Sequence, residues 1–348
     1  MRILVTGGAG FIGSHYVRRV LGDAWGGRRP ERVVVLDELT YAGNLTNLAP
    51  VYDDSRFAFV HGDILDRALV DDLMAATDVV VHFAAESHVD RSIAGATGFV
   101  MTNVVGTQTL LEAAAGQGVE TFVHVSTDEV YGTIEKGSWD ESHPVEPNSP
   151  YAASKAGSDL IARSYHRTHG LPVCITRCSN NYGPRQFPEK VIPLFVTNLI
   201  DGGTVPLYGD GSNVRDWLHV DDHCRAIHAV AERGRAGEIY NIGGGCELSN
   251  RELTRLLLDA CGASWDQVVS VEDRLGHDLR YSVATDKIRS ELGFEPRIAF
   301  AAGLRETIAW YADNRSWWEP LKPELLGREP APRRRAPGAR VGRSRIHS

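Results

Sequence analysis

"RILVTGGAGFIGS", residues 2–14, sets a branched apolar run directly against three glycines spaced Gly7-x-x-Gly10-x-x-Gly13, which lead into "FIGSHYVRRVL", a stretch with helical spacing. That order predicts a buried strand, a tight turn and a helix whose amino end faces the turn. Amides at such a helix end bind phosphate oxygens, and glycines let the backbone approach them closely. The spacing differs by one residue from the GxGxxG form, and a glycine turn on its own serves structure as readily as binding. Its surroundings decide between the two.

Strand-like runs recur downstream: "RVVVLD" (32–37), "FAFVHGD" (57–63), "DVVVHFAA" (78–85) and "TFVHVST" (121–127). Several are continuously apolar, as strands covered on both faces are. Helical stretches lie between them, including "TNVVGTQTLLEAAAGQG" (102–118). Strand–helix alternation predicts an α/β fold, a Rossmann-type doubly wound parallel sheet. Asp37 ends the second strand about two dozen residues after the turn, where a carboxylate accepts both ribose hydroxyls of an adenosine. The same carboxylate repels a 2′-phosphate, which favours NAD over NADP.

After "VCITRCSNNYGP" (173–184) the texture shifts to short strands, turns and loops. The expected organisation is an NAD-binding domain over residues 1–180 with a returning segment near 214–235. A smaller mixed α/β lobe follows over 181–325, and then a basic, disordered tail over 326–348. Ser249 and Glu252 make a capping box opening "NRELTRLLLDA".

The 348 residues suffice for a large core. No apolar run reaches the length of a membrane span, and the start enters a strand with no room for a signal peptide. A net charge of −8 argues against nucleic-acid binding. Five cysteines without CxxC spacing read as reduced thiols in a cytoplasm, not as disulfides or metal ligands.

Two motifs carry chemistry. "YAASK" places Tyr151 and Lys155 one helical turn apart on one face. An ammonium so close is expected to lower the phenol pKa and make a base for a hydroxyl proton. The plain alternative is a surface i,i+4 pair. "STDEVYG" (126–132) sets Thr127 at the end of the fifth strand, followed by two adjacent carboxylates, Asp128 and Glu129. Neighbours in a regular strand face opposite sides, so both reach one ligand only if the strand ends at Thr127 in an irregular turn.

With "TGGAGFIGS", "LTYAGN", "HGDI", "HFAAESHVDRS", "TNVVGT", "STDEVYG", "YAASKAGSD", "NNYGP", "PEKVIPLF", "LYGDGSNVRDWLHVDD" and "GHDLRY", the chain resembles the extended short-chain dehydrogenase/reductases, and within them the dTDP-glucose 4,6-dehydratase branch. The resemblance implies oxidation at sugar C4, loss of water across C5–C6 and return of hydride to C6. It gives Glu129 as base at C5, Asp128 as acid at the leaving hydroxyl, Tyr151 as base at C4 and Thr127 as its helper. NAD contacts implied in the same way are Phe11, Ile12, Asp37, Asp63, Ile64, Ala84, Ala85, Thr102 and Lys155, beside Gly7, Gly10 and Gly13. Sugar-nucleotide contacts are Ser87, Thr127, Asn180, Glu189, Lys190, Pro206, Tyr208, Arg215, Asn250 and His277. His88, Asp90 and Arg91 read as structural links. Leu275 departs from a position where the family often has proline. A homodimer through the helices at 98–115 and 151–169 is the implied assembly.

Neighbouring readings stay open from sequence. A UDP-glucose 4,6-dehydratase would share the carboxylate pair. A sugar-nucleotide epimerase or decarboxylase would use Tyr, Lys and NAD but has no need of an acid for a C6 leaving group. A non-catalytic NAD-sensing protein would have no reason to keep Thr127, Asp128, Glu129, Tyr151 and Lys155 together.

Overall fold

The computed structural model describes residues 1–273 and 276–322. The basic tail and Leu275 lie outside the described residues. Seven strands form an all-parallel sheet: β1 (Arg2–Thr6), β2 (Arg32–Asp37), β3 (Phe57–His61), β4 (Val79–His82), β5 (Thr121–Thr127), β6 (Val173–Cys178) and β10 (Ile239–Ile242). Their spatial order is β10-β6-β5-β4-β1-β2-β3. The chain reverses direction across the sheet between β1 and β4, and a crevice opens at the carboxyl ends there.

β1, β2 and β5 begin and end where the sequence places them, because each is a Val/Ile-rich run buried on both faces. One apolar layer, with Val5, Val35, Val81 and Val123, faces the helices Phe11–Leu21 and Val220–Arg233. The opposite layer, with Leu4, Leu36, Val80 and Phe122, packs on Leu110 and Leu111 of the helix Thr107–Gln117. Cutting a fully buried leucine such as Leu111 to alanine costs about 2–5 kcal/mol.

The return to the sheet runs further than residues 214–235. The helix Val220–Arg233 covers one face, but the seventh strand lies beyond it, and the helix Asp286–Leu292 packs on that strand. Two small sheets complete the second half: β11 (Glu247–Ser249), β9 (Val214–His219) and β7 (Asn180–Tyr182), and a parallel pair of β12 (Val268–Val271) with β8 (Val205–Tyr208). Their core holds Phe195, Trp217, Leu257, Tyr311 and Trp318. The Ser249–Glu252 capping box is present. No helix among the described residues is long and apolar enough to cross a membrane.

Candidate active site

A cavity of about 330 Å³ runs along the carboxyl ends of β1 to β6. Its floor is the glycine turn. Gly7 has φ +69°, and a Cβ there would stand 2.5 Å from the Ala84 amide nitrogen; at Gly13 it would stand 2.3 Å from the Gly7 carbonyl. The helix Phe11–Leu21 starts at Gly10 without a side-chain cap, so its first amides are left for a ligand. Asp37 accepts from the amides of Ala9 and Leu39, each at 2.8 Å, one on each carboxylate oxygen. Each oxygen keeps a second lone pair for a hydroxyl. The donor set therefore fits a dinucleotide: bare amides and glycine clearance for a pyrophosphate, and an anchored carboxylate for a ribose.

Every residue expected to contact NAD lines this cavity, and so do Ser87, Asn180, Glu189 and Lys190. Pro206, Tyr208, Arg215, Asn250 and His277 do not line it. They gather instead around β8, β9 and the start of the helix Asn250–Cys261, where Tyr208 meets His277 edge to face at 6.5 Å. Two short strands, a helix start and a loop carry these five, so spacing gives no sign that they come together.

β5 stops at Thr127, and residues Asp128–Tyr131 turn in a 3₁₀ helix. Thr127 Oγ1 accepts from the Glu129 amide at 3.3 Å and donates to Asp128 Oδ1 at 3.2 Å. This turn defeats strand alternation and brings both carboxylates to the cavity wall. Asp128 is buried, and burial, then Glu129 and Asp216, push its carboxyl well above the usual range; Thr127 and Arg215 pull the other way. Its Oδ2 is buried and has no partner in the protein. A carboxyl so placed keeps a proton and has one oxygen left to offer it.

The helix Pro150–His169 presents Tyr151 and Lys155 to the same wall. Ser149 caps it by accepting from the Ala152 amide at 3.1 Å, Pro150 occupies its first position, and Gly170 ends it in the left-handed region. Lys155 Nζ donates to the Val125 carbonyl at 2.8 Å. The expected lowering of the Tyr151 phenol by this ammonium is not what the site shows. Burial, then Glu129, Cys178 and Asp128, push the phenol well up, and a hydrogen bond to Thr127 opposes them. Burial also lowers Lys155 to about 8, against Asp159, which favours the ammonium from one turn further along. Desolvation outweighs the pairwise attraction.

A model of the family described as GDP-mannose 4,6 dehydratase matches residues 4–307. The dTDP-glucose 4,6-dehydratase of Streptomyces niveus is 62% identical over 92% of this chain and 96% of its own. That of Streptomyces antibioticus is 62% identical over 97% of this chain and all of its own. The crystal structure of DesIV, a dTDP-glucose 4,6-dehydratase from Streptomyces venezuelae with NAD and TYD bound, is 66% identical and superposes with a TM-score of 0.91 over 92% of this chain and 100% of that one. The chain belongs to the dTDP-glucose 4,6-dehydratase family.

Within a dTDP-glucose 4,6-dehydratase frame, several cavity residues escaped the sequence reading. Gln186 and Phe187 line the wall from the loop after β7, and Cys178, Ser179 and Asn181 line it from β6 onward. "NNYGP" marks that stretch, and within it the resemblance points only to Asn180. Tyr41 reaches the site through Glu189, to which its hydroxyl donates at 2.9 Å, and Arg91 stacks on its ring at 3.7 Å. Nothing local in "LTYAGN" announces a partner 148 residues away.

Proposed function

We propose that this chain converts dTDP-glucose into dTDP-4-keto-6-deoxyglucose and water, with NAD as a recycled cofactor. One observation carries the reading: Asp128, Glu129, Thr127, Tyr151 and Lys155 share a single cavity with a glycine cradle and an anchored Asp37. Bound in that cradle, NAD supplies the acceptor for the C4 hydride and its return to C6. Tyr151 would take the C4 hydroxyl proton once the positive charge of bound cofactor and the Lys155 ammonium together offset the burial that holds its phenol protonated, with Thr127 turning its hydroxyl from Asp128 to the same oxygen. The ketone at C4 acidifies the C5 proton, which Glu129 removes as Asp128 protonates the departing C6 hydroxyl. Glu129 then gives its proton back to C5. The unlike surroundings of the two carboxyls separate acid from base.

In this reading Ser87, Asn180, Glu189 and Lys190 hold the sugar end, Pro206, Tyr208, Asn250 and His277 hold the nucleotide end, and Arg215 stands between them with its charge felt at Asp128. An epimerase has no use for a buried protonated Asp128. The family's homodimer is our proposal for the assembly; Val100, Met101 and Leu160 support it, exposed at 42–53% on the helices expected to form the interface. Five free cysteines support the cytoplasm as the compartment.

The test is incubation of the purified protein with dTDP-glucose in heavy water. The reading expects a 4-keto-6-deoxy product carrying deuterium at C5, and a Glu129→Gln variant that makes neither. Retained dehydration in that variant removes Glu129 from its role. UDP-glucose in a parallel arm decides the nucleotide.

A further inference from the structure

Residues 278–284 form a strap between two parts of the site. On one side Ile134 N donates to the Arg280 carbonyl at 3.1 Å and Trp139 N to the Ser282 carbonyl at 3.0 Å; on the other, Val214 N donates to the Leu279 carbonyl at 2.7 Å. The strap thus joins the segment that follows the Asp128–Tyr131 turn to the first residue of β9. Asp278 is its anchor and is 5% exposed. Its Oδ1 accepts from Thr133 Oγ1 at 2.5 Å and Asn148 Nδ2 at 2.6 Å, and its Oδ2 accepts from the Tyr281 hydroxyl at 2.5 Å. Its carbonyl accepts from Arg215 at 3.0 Å and from Asn213 at 3.2 Å. Arg215 stacks on the Tyr281 ring at 4.3 Å.

We infer that Asp278 is a positioning residue of this site: it fixes Tyr281 and Arg215 as one stacked unit against the Asp128–Glu129 end of the cavity. This rests on the function proposed above. Tyr281 is held up in pKa by burial and then by Glu129, so its ring stands within reach of that carboxylate's field. Arg215 restrains the proton affinity of Asp128. The charged and titratable groups bearing on Asp128 are Glu129 on its own turn, Arg215 and Asp216 on β9, Cys178 on β6 and Tyr151 on its helix. Arg215 is the cation among them. Tyr281 rests on the Asp278 carboxylate and Arg215 on its backbone carbonyl, so a strap released from the carboxylate's anchors, Thr133 and Asn148, carries ring and guanidinium with it and withdraws the cation from the acid.

The experiment compares the NAD-loaded parent with Asp278→Asn and with Tyr281→Phe, which removes a single hydroxyl and keeps the stacked ring. Kinetics with dTDP-glucose are taken across pH beside thermal unfolding. Asp278→Asn is expected to lower kcat roughly tenfold to a hundredfold. It also moves the alkaline limb of the kcat profile up by about half a pH unit or more, because Asp128 holds its proton longer. Tyr281→Phe moves the limb the same way by less. If Asp278→Asn does not fold, the Tyr281→Phe limb decides. A lower unfolding temperature with an unmoved limb makes Asp278 merely structural and overturns the inference alone. A parent that yields no 4-keto product overturns the function and the inference together.

Discussion

Thr127 donates its hydroxyl to Asp128 Oδ1, at 3.2 Å, while Oδ2 is buried with no partner in the protein. Asp128→Asn keeps the shape and the acceptor for Thr127 but has no proton to give. We expect C4 oxidation and C5 exchange to continue while elimination slows by roughly a hundredfold or more. Reduced cofactor should then accumulate, seen as its near-ultraviolet absorbance during turnover. Elimination at the parent rate would take the acid role from Asp128.

Tyr151→Phe removes the base at C4 and leaves the carboxylate pair in place. No reduced cofactor should form, and C5 exchange should vanish with it, since the C5 proton is acidified only by the ketone. The loss expected is about 10²- to 10⁴-fold. Exchange at C5 that survives this substitution would separate the two chemistries and contradict the order of steps.

Gly13→Ala puts a methyl 2.3 Å from the Gly7 carbonyl, a contact the backbone has to move to relieve. The displaced turn is the floor under the cofactor. Destabilisation of about 1–3 kcal/mol is expected, together with protein that comes off purification depleted of NAD. Cofactor content measured after denaturation and unfolding temperature check both halves of this expectation.

His223 is fully buried on the helix Val220–Arg233, and neither ring nitrogen has a partner. Burial lowers its pKa from 6.5 to about 3. An unfolded chain therefore takes up a proton below about 6.5 that the folded chain refuses until about 3, so stability is present above that window and is lost as pH falls through it. At pH 5 the loss from this one group is on the order of 2 kcal/mol. Urea unfolding at pH 7.5 and 5 should show a smaller difference for His223→Leu than for the parent; an equal difference refutes the assignment.

Local sequence went far in the first half of the chain. β1, β2, β5 and the helix Phe11–Leu21 have the limits their apolar runs and glycines announced, since burial on both faces leaves those strands one composition. The break after Thr127 follows from alternation once the family resemblance sets both acids on one sugar. The second half resisted because its contacts are distant. β10 is four residues long and finds β6 more than sixty residues upstream. Thr133 and Asp278 are 145 residues apart. The Tyr151 phenol is pushed up where spacing predicts it lowered, because spacing shows the ammonium and hides the desolvation that outweighs it.

All seven strands of the main sheet point the same way, which gives the molecule a reactive edge and a quiet one. The link at 22–31 enters β2 from the quiet edge. A fluorophore or an immobilisation tether grafted there stands a full strand length from the chemistry, so labelled or surface-mounted protein should turn over at the rate of the free form.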